Sequence, residues 1–270
     1  MRRLPSLRAG LVATVLLAAA ALAHAGRNCD AERPPSTASV VQGMAMAQRT
    51  AQALDASGAR VVVLARAGQD LQRFGLQWSH LGFAYRTPEG PWRVVHKLND
   101  CGSARAYVYR QGLGEFFLDG NMWRYQAAWS VPAPDVQARL LALLQAPAQA
   151  PVGPLAVDVP AYSMVSYAWG RRYQQSNQWA IETLAVAMAP EARGDRAAAQ
   201  AWLRGQGYQP TVLRIGPLER LGGRLTRANI AFDDHPDADR FSDRIATVTA
   251  DSVFAWLQAS GLGMAPVVLR

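Results

Sequence analysis

Apolar positions along the chain alternate between two spacings, and the spacing predicts the elements. Val40, Val41, Met44, Ala47, Ala51 and Leu54 recur at three- and four-residue intervals, with Ser36 or Thr37 available as a cap and Gly58 as a stop. That pattern predicts an amphipathic helix over residues 36–56. The valine-rich stretch 60–65 predicts a strand, and 80–86 and 92–98 predict two more. Between the last two lies Thr87-Pro88-Glu89-Gly90-Pro91, a turn sequence that makes them a hairpin. Further helices are expected over 135–145, 176–188 (closed by Pro190), 195–204 and 249–258. Residues 212–215 read as a strand and 266–269 as a short apolar tail that pairs at a sheet edge. From 104 to 129 the pattern is mixed and aromatic, interrupted by Gly112, Gly114 and Gly120, and it yields no assignment. Those glycines lack the spacing and the following Lys-Ser or Lys-Thr of a phosphate loop, so they read as backbone turns. Helices and strands mixed in this way predict the α+β class.

Composition narrows the class of protein. The chain has 270 residues, half of them hydrophobic and 18% charged, which is enough to bury a sizeable core. It excludes a disordered tail. Residues 1–25 begin with Arg2, Arg3 and Arg8, continue through an apolar run over 11–22 and end in Ala23-His24-Ala25. This is the pattern of a secretory signal peptide cleaved after Ala25, so a periplasmic or secreted location is expected. The apolar run is shorter than the roughly 20 residues of a membrane-spanning helix, and no later stretch reaches that length, so no membrane span is expected. Residues 26–270 are expected to form one α+β domain, with the Ala/Pro/Gly-rich stretch 146–154 as a surface linker that either divides two subdomains or spans one. The net charge of +8 falls to +5 without residues 1–25, and the 27 arginines are scattered beside a single lysine. Nucleic acid is therefore not an expected partner. Cys29 and Cys101 are the two cysteines, and in an oxidising compartment their pairing as a disulfide is expected, with Cys101 as a nucleophile the alternative.

Three short segments carry the candidate chemistry. His80 opens one expected strand, with Gly82 permitting close approach of a neighbour, and His96 lies on the next. Ser176 stands at the start of an expected helix within Tyr173-Gln174-Gln175-Ser176-Asn177-Gln178-Trp179. Unpaired amides and the positive end of the helix dipole favour a developing anion there, and a histidine could take the hydroxyl proton while a second polar group holds its ring. Tyr173, Asn177, Gln178 and Trp78 are candidate substrate contacts. Each also has a plain structural role: Ser176 as a helix cap, His80 as a hydrogen-bonded strand residue, His96 as a residue facing solvent, and the tryptophans as packing. The acidic turn Asp233, Asp234, His235, Asp237 and Asp239 matches no calcium loop, and neither a metal nor a cofactor is expected.

The order of these segments resembles the circularly permuted papain-like hydrolases of the NlpC and lecithin retinol acyltransferase group. Their site combines a Ser-His-x-Gly strand, a polar residue on the next strand and a later helix-borne cysteine. The resemblance implies an antiparallel sheet packed against helices, with His80 as base, His96 as orienting group and Ser176 in the nucleophile position. Serine replaces the cysteine of that group, and a hydroxyl is much harder to ionise than a thiol of pKa near 8.5. The segments 92–99 with Cys101, 109–119, 173–179 and 232–236 also resemble a bacterial exported family, domain of unknown function 2145. Two function classes follow. One is an exported hydrolase or acyltransferase of amide or ester bonds, acting on a cell-wall peptide or an acylated small molecule. The other is a non-catalytic periplasmic binding module on the same fold.

Overall fold

A central antiparallel sheet is built from strands that follow one another closely in the chain. The structure is a computed structural model that describes residues 35–87, 90–120 and 122–270. Residues 1–25 and Cys29 lie outside the described residues, so the signal segment and the Cys29–Cys101 pairing remain expectations. The elements in order are α1 (Thr37–Ala56), β1 (Val61–Ala67), β2 (His80–Tyr85), β3 (Arg93–Asn99), β4 (Ala106–Gly112), α2 (Leu113–Leu118), β5 (Arg124–Ser130), α3 (Pro134–Gln145), α4 (Ser176–Met188), α5 (Arg196–Gly205), β6 (Thr211–Arg214), α6 (Pro217–Thr226), α7 (Asp237–Phe241), β7 (Arg244–Thr247), α8 (Ala250–Ala259) and β8 (Val267–Leu269). The six-stranded sheet runs β4-β3-β2-β1-β5-β8, and β6 and β7 pair separately. The chain is mixed α+β, with an antiparallel sheet packed against helices.

The helix and strand expectations hold for the strongly patterned segments. Ser36 caps α1 by accepting from the Ser39 amide, and β2 and β3 form the expected antiparallel pair. The tail strand β8 pairs with β5 at the edge. The unassigned stretch 104–129 contains β4, α2 and β5. There β4 is the opposite edge strand, with Tyr107 and Tyr109 partly exposed, so neither face shows an apolar alternation.

Period-two alternation distributes the sheet residues between two cores. Val61, Val63, Ala65, Leu81, Phe83 and Val95 pack with α3, α4 and α8 on one face. Val62, Leu64, Ala84, Val94 and Ala127 pack with α1 and α2 on the other. The first of these cores draws on residues from both sides of 146–154, and Trp179 donates its indole N–H to the Pro154 carbonyl at 3.1 Å.

A buried polar network fixes α4. Glu182 accepts from Arg196 Nε at 2.7 Å and Nη2 at 3.0 Å, from Gln200 at 2.7 Å and from Gln174 at 2.6 Å. Lys97, the only lysine, is fully buried and donates to Asp158, to the Val159 carbonyl and to Gln174. All three of its donors are used. Burial lowers its pKa, opposed by Asp158.

Candidate functional site

Sheet register brings two of the three candidate catalytic residues together. His80 opens β2 directly opposite Arg66 of β1, and His96 of β3 lies diagonally across from Gln111 of β4, whose register partner is Val94. The His80 Nε2 to His96 Nδ1 distance is 2.9 Å, and His96 Nε2 lies 2.7 Å from Gln111 Oε1. Gly82 makes this possible. A Cβ built on it would sit 2.9 Å from His96 Cβ and 2.9 Å from Val94 Cγ1, so only glycine leaves His96 in place. His96 is fully buried, not directed to solvent.

The chain of hydrogen bonds has one consistent direction. Gln111 Oε1 can only accept, so His96 carries its proton on Nε2 and presents a lone pair at Nδ1. His80 must then donate from Nε2, which leaves Nδ1 as the unprotonated acceptor. That Nδ1 forms no hydrogen bond among the described residues, and His80 borders a cavity of about 470 Å³. Burial, then the Arg66 charge, then His96 hold His80 well below the ordinary imidazole range. His96 is held at about 4, by burial first and Arg66 second, against the opposing influence of Gln111, Asp119 and Glu115. Both rings are therefore neutral at pH 7. Arg66 donates to the Phe116 carbonyl and, at 2.6 Å, to Asp119, and its guanidinium lies over the Phe116 ring. Phe116 in turn packs against both imidazoles.

Ser176 borders the same cavity from the opposite layer. His80 and His96 rise from the face covered by α1 and α2, whereas α4 packs on the other face, through contacts such as Phe83 with Trp179. The two segments are pinned by one bond beside each candidate: the Leu81 amide donates to Asn177 Oδ1 at 2.8 Å. Ser176 Oγ makes no hydrogen bond to His80. Nor is Ser176 the cap of α4. Gln175 takes that position and accepts from the Asn177 amide at 2.7 Å, while its own amide group donates to the Val248 carbonyl. The Ser176 backbone N–H is thus one of the unpaired amides at the helix start.

The proposed substrate contacts divide. Trp78 and Asn177 border the cavity, although Asn177 spends its oxygen on Leu81. Tyr173 and Gln178 do not border it. Gln178 is fully buried, accepts from Ser166 and donates to the Tyr167 and Ala168 carbonyls, so it fastens the loop before α4. Tyr173 packs against Arg172 beside Asp233. Both follow from position on a helix turn or loop that faces away from the cavity. The acidic turn is ion-paired, through Asp233 with Arg172, Asp237 with Arg240 and Asp239 with Arg244, and the Asp234 carboxylate accepts from the Tyr167 amide.

The family described as "Uncharacterized protein conserved in bacteria (DUF2145)" matches residues 53–257. The chain belongs to the DUF2145 family. No curated protein and no solved structure matches it. The part of this DUF2145 chain that matches contains Arg66, His80, His96, Gln111 and Ser176. Gln111 and Arg66 had no assigned role in the sequence, although Gln111 falls inside the 109–119 segment. Their place depends on register, which composition does not encode.

Proposed function

We propose that this DUF2145 chain is an exported hydrolase or acyltransferase of amide or ester bonds on a permuted papain-like fold. Ser176 is the nucleophile, His80 the base and His96 the orienting group. The observation that carries the reading is the His80–His96–Gln111 chain, which presents a bare imidazole nitrogen at the cavity bordered by Ser176. In the step, His80 Nδ1 takes the Ser176 hydroxyl proton as the oxygen attacks an acyl carbon, and the ring returns that proton to the leaving group. The Ser176 N–H, unpaired at the helix start, serves in this reading as the donor to the oxyanion. Gln111 positions His96, and His96 positions His80. A cell-wall peptide or an acylated small molecule is the proposed substrate class, and the export signal and the Cys29–Cys101 disulfide belong to the same proposal.

A binding module is the second reading. It is favoured by the placement of Ser176 and the His80 ring on opposite layers without a hydrogen bond, and by the lowered basicity of His80. A chain-length series of p-nitrophenyl esters separates the two. Hydrolysis that is lost in both Ser176→Ala and His80→Ala supports the enzyme; no turnover, or turnover retained by Ser176→Ala, leaves the binding module.

A further inference from the structure

Helix α6 turns its apolar face outward. Leu218, Leu221 and Leu225 fall within one sector of the helix and are 83%, 55% and 56% exposed, and no residue of α6 is buried. The opposite sector, Glu219 and Gly223 with Arg227 just beyond the helix, borders the cavity. The helix therefore forms a roof whose polar side faces in and whose leucines face out, the reverse of a helix packed onto a core. Its base is fixed by Arg220, which donates to the Ile215 carbonyl at 2.6 Å and to Asp243 at 2.5 Å, and Arg73 reaches Glu219 at 2.9 Å. Phe241, two residues before Asp243, is 72% exposed.

The charges of α6 and of the α7–β7 segment that Arg220 ties to it through Asp243 are not balanced. Glu219, Asp237, Asp239 and Asp243 are each paired with an arginine, namely Arg73, Arg240, Arg244 and Arg220. Arg224 on the helix and Arg214 at the end of β6, next to the Ile215 that Arg220 of α6 holds, make no ion pair among the described residues. An outward leucine stripe edged by uncompensated arginines fits a surface that is apolar below and anionic above. We propose that α6 seats the protein on an anionic lipid bilayer, with the leucines entering the headgroup boundary and the free arginines meeting lipid phosphates. A second copy of the chain fits less well. A two-fold interface on this stripe would set the same arginines against one another, and three leucines offer far less than the roughly 800 Å² per partner of a stable interface. The proposal does not depend on catalysis by Ser176.

Co-sedimentation of the full chain with vesicles of phosphatidylcholine, with and without phosphatidylglycerol, tests this directly. Any contribution of residues 11–22 is common to wild type and variants, so the comparison reads α6. The expected result is phosphatidylglycerol-dependent binding that weakens with salt and drops about tenfold or more in the triple variant L218E/L221E/L225E. Arg214→Gln with Arg224→Gln should reduce the preference for the anionic lipid. Hydrogen exchange of wild type should show vesicle-induced protection at 217–226, a readout that needs no variant. Equal sedimentation of wild type and triple variant, or absence of that protection, overturns the proposal. So does a dimer that the triple variant dissociates without any vesicle binding.

Discussion

Acidification should destabilise the protein through the buried histidines. The unfolded chain holds His96 near an ordinary value of 6.5, whereas the folded chain holds it at about 4. Between those values the unfolded state binds a proton that the folded state refuses, so stability is fully present above pH 6.5 and falls as pH drops toward 4. Each unit of separation is worth about 1.4 kcal/mol, so the full penalty for His96 is about 3 kcal/mol. About 2 kcal/mol of it accrues between pH 7 and pH 4.5, a shift of about 1 M in a urea midpoint. His80, held low by burial and Arg66, adds to the same slope. Asp234 and Asp251, raised by burial, act in the opposite sense at lower pH and cancel when wild type is compared with a histidine variant. Urea unfolding of wild type, His96→Gln and His80→Gln/His96→Gln at pH 7, 5.5 and 4.5 measures the difference. The single variant should lose part of the slope and the double variant most of it. Parallel lines for all three proteins would refute the reasoning, because neither imidazole would then be held neutral by the fold.

Other perturbations read other parts of the account. Gly82→Ala should destabilise by about 1–3 kcal/mol in thermal or urea unfolding, since its Cβ meets the fixed Cβ of His96 at 2.9 Å. Glu182→Gln should cost about 3–5 kcal/mol by leaving Arg196 buried without its carboxylate, and near-neutral unfolding would show that water reaches the guanidinium. Gln111→Leu should lower turnover of any ester found to be a substrate by about tenfold or more with KM little changed, because the His80 tautomer is no longer fixed. Restoration of the rate by Gln111→Asn would identify the lost group as a hydrogen-bond acceptor.

Much of this architecture could be read from the chain because its helices obey the ordinary rules. Ser36 caps α1, and the 176–188 spacing coincides with α4. What escaped reading is physically specific. An edge strand such as β4 shows no alternation because Tyr107 and Tyr109 on one face and Arg110 on the other are all exposed, and α2 has six residues, too few for a helical period to emerge. Helix α6 escaped because its leucines do not mark a core. In the candidate site, the two histidines were legible as residues on neighbouring strands. Their partners were not, since Gln111 reaches His96 only through the register of β4, and Arg66 reaches Asp119 only because α2 folds back over the sheet. Asn177 and Gln178 illustrate the converse: polar residues at a helix start look like ligand contacts, yet the backbone of β2 and of the loop before α4 uses them first.

The most direct test of the central claim is the site of covalent capture by a fluorophosphonate probe, located by peptide mass spectrometry on wild type, Ser176→Ala and His80→Ala. The account predicts a single adduct on Ser176, absent from Ser176→Ala and strongly slowed in His80→Ala. An unlabelled wild-type protein, or an adduct that survives Ser176→Ala, would contradict it and leave the His80–His96–Gln111 chain as part of a binding cavity.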